Sequence, residues 1–368
     1  MWHPLTCSGV YAVSDSYDAG VNGLGRCTSM TDPSGSTSWA YDARSRVKTE
    51  TRTVDGVSYA TQYAYDAADR VSCITYPDGE QVATAYGRQG QPISLTSSQV
   101  GILADSANYD EANRLRSLRF PAGGNLVRRQ VYYPWTQQGG RLQQILVGTS
   151  AATADRLNLT YGYDAVGNVT SITDNGVQSS FGYDGLYQLT EAYGQNFAYD
   201  TAGRIINYND LVYTPDTAHP HAVDKVANVD RYDNDANGNQ VVRNQGVVNQ
   251  EQVLAWDVEN RLSAVTYTNR TTSGSPPTTC NGVPCKRVYF PLVMQQMPAE
   301  RYSYDADGGR VRKETKTEVT RYIGPHFEVT VAITNSQVLT TAKQRTVSRA
   351  RKTTTSAGNP SRYGKVTP

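Results

Sequence analysis

The sequence predicts an all-β fold, an array of stacked β-hairpins with almost no helix. Three observations predict it. The dipeptide Tyr-Asp occurs nine times in 368 residues, where a random order of the same composition gives about two. The tyrosines of the first half are evenly spaced: Tyr17, Tyr41 and Tyr65 lie 24 residues apart, and Tyr86, Tyr109 and Tyr132 follow at intervals of 21, 23 and 23. The composition is skewed to 26 Tyr against 5 Phe, with 31 Gly. Tyrosine favours strands and suits surfaces that are apolar on one side and wet on the other.

Each dipeptide opens a common pattern: aromatic, Asp, two variable residues, Gly/Asn/Asp, Arg/Asn, aliphatic. Clean copies are Tyr65-Asp66-Ala-Ala-Asp69-Arg70-Val71, Tyr109-Asp110-Glu-Ala-Asn113-Arg114-Leu115 and Tyr199-Asp200-Thr-Ala-Gly203-Arg204-Ile205. Tyr163-Asp164 keeps the pattern with Asn168 in the Arg position, and Trp256-Asp257-Val-Glu-Asn260-Arg261 keeps it with Trp in the Tyr position. The dipeptides Tyr17-Asp18, Tyr41-Asp42, Tyr183-Asp184, Tyr232-Asp233 and Tyr304-Asp305, the last followed by Arg310, complete the set. Aspartate at the first turn position accepts hydrogen bonds from amides ahead of it, and Gly, Asn or Asp three residues on tolerates a left-handed conformation. Together they close a short hairpin loop.

A second turn signal falls half a period later, as in Asp32-Pro33-Ser34-Gly35, Pro77-Asp78-Gly79, Ala122-Gly123-Gly124-Asn125 and Asp174-Asn175-Gly176. One period is therefore two short strands and two turns. A lone hairpin has too little core to be stable, so neighbours must stack into a continuous sheet. The recurring Tyr is expected to form a ladder of rings along one face. The Arg after the turn is expected to pair with an Asp of a neighbouring unit or to lie on a Tyr ring. These residues are read as repeat-defining and structural, since nine copies cannot each be a unique catalytic site.

The charge is uneven. Residues 329–368 hold seven basic residues and no acid, which leaves 28 basic against 34 acidic groups in residues 1–328. A body of net −6 lacks the basic face that nucleic acid requires. No run approaches the ~18 apolar residues of a membrane span, and Met1-Trp2-His3-Pro4 does not read as a signal peptide. The five cysteines are an odd number; Cys280 and Cys285 bracket a four-residue loop that a disulfide would close in an oxidising compartment. No phosphate-cradling loop, nucleophile elbow or zinc-protease motif occurs. His219-Pro220-His221 lacks a third ligand. Asp233, Asp235, Asn237 and Asn239 lack the terminal acidic ligand of a calcium loop, with Asn244 at position twelve. No metal or cofactor is expected.

Tyr-Asp-x-x-Gly-Arg-Leu units at this spacing resemble the YD repeat of the RHS family, which includes bacterial polymorphic toxins, insecticidal toxin-complex subunits and animal teneurins. The resemblance covers roughly residues 11–330. It is close at Gly23-Leu24-Gly25-Arg26 before Thr31-Asp32-Pro33-Ser34-Gly35, at Tyr232-Asp233-Asn-Asp-Ala-Asn237-Gly238-Asn239, and at Tyr304-Asp305-Ala-Asp307-Gly308-Gly309-Arg310-Val311. It implies hairpins wound as a β-spiral or solenoid, a wall around a hollow interior. In toxins that wall sequesters a C-terminal effector. The toxin-type core ends in an Asp-Pro-x-Gly segment where the chain is cut; the copy here is Asp32-Pro33-Ser34-Gly35, in an early turn, and none follows residue 300. The chain is accordingly read as a partial core without cleavage segment or effector.

The expected organisation is a lead-in over 1–10, the repeat array over 11–330 with a Pro-rich insertion at about 270–300, and a basic, low-complexity, disordered tail over 331–368. The tail is either a native contact segment or the product of a frameshift or truncation. The expected function is a non-enzymatic segment of an RHS-type shell, secreted or at the cell surface. Its partners would be the rest of the shell, an enclosed effector and cell-surface glycans, with no nucleic acid and no membrane span. The alternative is a carbohydrate-binding or cell-contact module using exposed Tyr faces. A self-cleaving or glycan-cleaving hydrolase is the enzyme reading set against both.

Overall fold

The computed structural model describes residues 13–247, 250–268, 279–280, 283–284, 299–333 and 345–352. It contains 32 strands and two short 3-10 turns, Pro121–Gly123 and Gln138–Gly140. The all-β expectation is met. Strands pair with their chain neighbours in antiparallel register, as in Cys27–Asp32 with Gly35–Tyr41 and Val169–Asp174 with Val177–Tyr183. The architecture is an up-and-down meander, the topology that two tight turns per period enforce.

The chain divides into two compact units, Thr61–Asp230 and the combination of Met1–Ala60 with Arg231–Pro368. The first of these is a run of hairpins from Val71–Thr75 to Val229–Asp230 with few buried apolar side chains: Tyr76, Val82, Leu146 and Ala192. The other has a packed core of Met30, Val54, Val242, Leu254, Val265, Val311, Val319, Ile323, Phe327, Val329 and Val331. Val54, Val242, Val311 and Val319 are at most 2% exposed. Alternation explains the richest strands. Glu318–Gly324 buries Val319, Arg321 and Ile323, and Phe327–Ile333 buries Phe327, Val329 and Val331, each every second residue.

This second unit joins residues far apart in sequence. Arg52 forms an ion pair with Asp305. Asp55 accepts from Arg321, with Nη2 at 2.9 Å and Nε at 3.0 Å, and lies 3.3 Å from Arg312 Nε. The Ala306 amide donates to Asp32 at 3.1 Å. Burial pushes the Asp55 carboxyl up, but the Arg312 and Arg321 guanidiniums outweigh it and hold the group below its ordinary range.

Leu262–Tyr267 pairs directly with Glu300–Tyr304, so the sheet continues across the segment read as an insertion. Most of that segment, including Cys285, lies outside the described residues. The segment expected to be a disordered tail contains strand at two places. Phe327–Ile333 runs past residue 330, and Arg345–Lys352 pairs with it in antiparallel register. The free edge of the β-branched strand Phe327–Ile333 is a template for further pairing. Residues 334–344 and 353–368 lie outside the described residues.

Candidate functional site

The repeated turn is the feature that recurs with one geometry, and its construction starts from the aspartate. At Tyr65-Asp66, one carboxylate oxygen accepts from the amides of Ala68 at 2.9 Å and Arg70 at 3.0 Å. The other accepts from the Arg70 guanidinium, Nε at 2.7 Å and Nη2 at 2.6 Å. The Asp66 amide donates to the Arg70 carbonyl, and Asp69 takes φ 63°. This is a three-residue loop with its last residue left-handed.

The same arrangement holds at Asp42–Arg46, Asp110–Arg114, Asp200–Arg204 and Asp257–Arg261. The left-handed residues there are Ser45, Asn113, Gly203 and Asn260. Asp164 does the same with Asn168, whose amide side chain replaces the guanidinium at 2.8 Å. Asp184 binds the amides of Leu186 and Gln188. In the clean copies the bonds from the Arg side chain and backbone pull the aspartate below its ordinary range, with burial opposing. The turn arginine therefore pairs with the Asp of its own loop, not with that of a neighbour.

A second link joins one turn to the next. In eight units the tyrosine hydroxyl donates to the carbonyl of the residue that follows the Arg position of the preceding unit. Tyr41 reaches Cys27 at 2.6 Å, Tyr86 reaches Val71 at 2.8 Å and Tyr132 reaches Leu115 at 2.9 Å. Tyr109, Tyr163, Tyr183, Tyr199 and Tyr304 repeat the bond to Pro92, Leu142, Val169, Leu189 and Leu262. Trp256 keeps it through its indole N–H, at 2.8 Å to Gln240. The preceding guanidinium lies over the same ring: Arg70 over Tyr86 at 4.3 Å, Arg114 over Tyr132 at 4.1 Å and Arg261 over Tyr304 at 5.1 Å. The expected ladder is thus one of alternating rings and guanidiniums.

Three copies depart. Tyr17-Asp18 opens a longer loop in which the Asp18 amide reaches the Arg26 carbonyl, and Tyr17 is 60% exposed. Tyr232-Asp233 is not the turn: both residues lie in the strand Tyr232–Asn234, and the loop aspartate is Asp235, which accepts from Asn237 and Asn239. The frame is set by Gly238, at φ 83°, three residues after Asp235. At Tyr304-Asp305 the Arg position is occupied by Gly309, so Arg310 lies one residue late and stacks on Tyr322 at 4.7 Å. The Asp305 carboxylate, with no guanidinium of its own loop, takes Arg52 instead.

Sequence reading missed two parts of the repeat. One is the acceptor carbonyl, which leaves no signature in residue type. The other is a β-bulge at the Tyr itself, seen between Ala64 and Tyr65, Ala85 and Tyr86, and Gly182 and Tyr183. The small residue before the Tyr is its sequence signal. A cavity of about 160 Å³ beside Asp32, Asp257, Arg261 and Tyr304 has its carboxylates engaged, Asp32 and Asp257 in turns, Asp305 with Arg52 and Glu259 with Arg261. Among the described residues no group of three or more His, Cys, Asp or Glu is placed to hold a metal ion.

A family profile described as the RHS repeat matches residues 22–58 and 163–196. The chain contains RHS repeats over those residues. Its fold matches solved structures of a toxin complex. It superposes on "TcdB2-TccC3-Cdc42" with a TM-score of 0.70 at 18% identity over 92% of this chain. It superposes on "TcdB2-TccC3-TEV" at 0.69 and 18% identity over 88%. The Tc holotoxin pore of Photorhabdus luminescens also gives 0.69 at 18% identity over 88%. The RHS-repeat chain spans 18% of the length of each of these. No curated protein matches it. No helix among the described residues is long and apolar enough to cross a membrane.

Proposed function

We propose that this RHS-repeat chain is a non-enzymatic wall segment of an exported shell that encloses a polypeptide effector. The observation that carries the reading is the doubled link between turns. In most units the Tyr hydroxyl ties its hairpin to the one before it, and in four of them a guanidinium covers the ring. Such a link repeats without limit and stiffens a ribbon one hairpin at a time, as a wall requires. The Tyr, Asp and Arg of the repeat act in this reading as architecture. The likeness to one part of toxin-complex chains supports the same role.

The test uses the longer protein that contains this segment, with an effector downstream. The wall reading expects added protease to spare the effector, and expects sparing to be lost when Tyr86, Tyr132 and Tyr163 are changed together to Leu. An effector cut equally fast with and without the segment overturns it. Sugar stacking on Tyr faces gains no specific support, since the hydroxyls of these rings are engaged and guanidiniums cover them.

A further inference from the structure

Four consecutive strands of the unit Thr61–Asp230 differ from the rest of the array. Leu115–Phe120, Leu126–Tyr132, Leu142–Gly148 and Leu157–Tyr163 contain four arginines and not one Asp or Glu. They are neighbours in the sheet. The turn arginines of the repeat, Arg114 beside these strands included, each pair with an aspartate four residues away. Here Arg119 reaches back to Asp105 at 2.6 Å, and Arg129 donates to the Thr153 carbonyl. Arg116 and Arg128 form no ion pair among the described residues, and the Arg128 Nε is buried without a partner.

Register places those two on one face. Arg128 is opposite Leu118, and Ser117 is opposite Arg129, so Arg116 and Leu118 point the same way as Arg128. Arg116 and Arg128 are therefore diagonal neighbours across a strand pair, close enough for their charges to repel. Both act on the Tyr132 hydroxyl, which burial raises and which Arg114, Arg128 and Arg116 pull back. The same face continues through Ile145, Val147, Leu159 and Tyr161, all half-buried, and meets its first carboxylate at Asp174, opposite Leu159 on the following strand. Two uncompensated guanidiniums set in an apolar and aromatic sheet match the composition of protein interfaces, where Arg and Tyr are enriched and acids are depleted.

We propose that this face docks an acidic, extended stretch of polypeptide belonging to the enclosed effector. The proposal rests on the wall reading above and names the chemistry of the wall's cargo. Carboxylates at alternate positions of the guest would meet Arg116 and Arg128 through charge-assisted bonds. Apolar side chains between them would meet Ile145, Val147 and Leu159. The apolar flank favours a peptide over a sulfated glycan, which offers no apolar side chains.

The experiment uses the full chain and a fluorescent dodecapeptide of alternating Glu and Leu, with Lys-Leu and Ser-Leu peptides and a heparin oligosaccharide as comparators. The Glu-Leu peptide is expected to bind, more weakly as salt rises, and the comparators not to. Changing Arg116→Gln and Arg128→Gln together is expected to weaken binding about tenfold. Arg119→Gln, on the opposite face, is expected to leave it unchanged. If the double variant does not fold, Arg116→Gln alone, at an exposed position, carries the test with an expected loss of about threefold. Equal binding of the Ser-Leu peptide, insensitivity to these arginines, or binding of heparin in place of the Glu-Leu peptide overturns the proposal. The protease-protection assay reads the wall independently, so the two can fail separately.

Discussion

At the scale of the residue, the repeat tyrosine has two duties that substitution separates. Its hydroxyl donates to a carbonyl of the preceding hairpin, and its ring carries a guanidinium. Tyr86→Phe removes only the hydrogen bond and should cost about 1 kcal/mol. Tyr86→Leu also removes the cation–π contact and should cost about 2 kcal/mol in total. Equilibrium urea unfolding of the two variants checks this; equal costs would mean that the ring contact contributes nothing. The left-handed turn position makes the opposite demand, for an absence of bulk at Cβ. Asn113, at φ 63°, is such a position. Asn113→Val should cost about 1–2 kcal/mol, because a β-branched residue is strained there, whereas Asn113→Gly should be tolerated. Both the Tyr and the αL residue were legible in the sequence, since one recurs and the other belongs to a short list of residue types.

At the scale of the element, the hairpin is closed by its aspartate, and the bulge at the Tyr sets where the outgoing strand resumes. Asp110→Asn keeps an acceptor for the amides but loses the charge that pairs with Arg114. Asp110→Ala loses both. The expected order of melting temperature is wild type, then Asn, then Ala, by thermal unfolding. The aspartate is depressed by its Arg partner, with burial opposing, so its contribution is present above the ordinary carboxylate pKa and is lost as pH falls through the depressed value. Three elements differ from the sequence pattern. Tyr232-Asp233 matches the turn dipeptide, yet the left-handed Gly238 places the loop two residues on. Arg310 follows the Tyr304-Asp305 loop, but the turn-arginine position itself is Gly309, which has no side chain. Strand was not expected at Arg345–Lys352, where the edge of Phe327–Ile333 supplies a partner.

At the scale of the whole molecule, the decisive contacts join residues more than 250 positions apart. Arg52 with Asp305, and Asp55 with Arg312 and Arg321, hold the early hairpins against the late ones within one unit. Arg321 is 6% exposed at its side chain and Asp305 7%. Removing one partner of such a pair strands a charge. Arg52→Met should cost about 3 kcal/mol, while Arg52→Met with Asp305→Leu should recover much of that loss. Asp55 gives the clasp a pH dependence. Its folded pKa lies below the unfolded value of about 3.9, so its stabilisation is complete above that value and vanishes as pH falls through the folded one. Urea midpoints of wild type and Asp55→Asn should differ near neutral pH and converge in acid. Parallel curves would exclude the carboxylate as the source.

Local structure and the repeat were written in the order of residues. A 24-residue recurrence of Tyr, Asp, a turn residue and Arg specifies hairpin, register and neighbour, because each of these contacts is made within one or two periods. That is why the strands, the turns and the RHS-repeat character were legible. Only the tertiary structure decided what no periodicity encodes. The clasp of Arg52, Asp55 and Asp305 breaks the repeat, since it uses residues outside the consensus or a copy whose own arginine is missing. The uncompensated pair Arg116 and Arg128 became a feature only when register placed them diagonally on one face of four strands that carry no carboxylate. Short-range hydrogen bonds leave a periodic trace in residue type, whereas contacts between distant strands depend on where the sheet brings their faces.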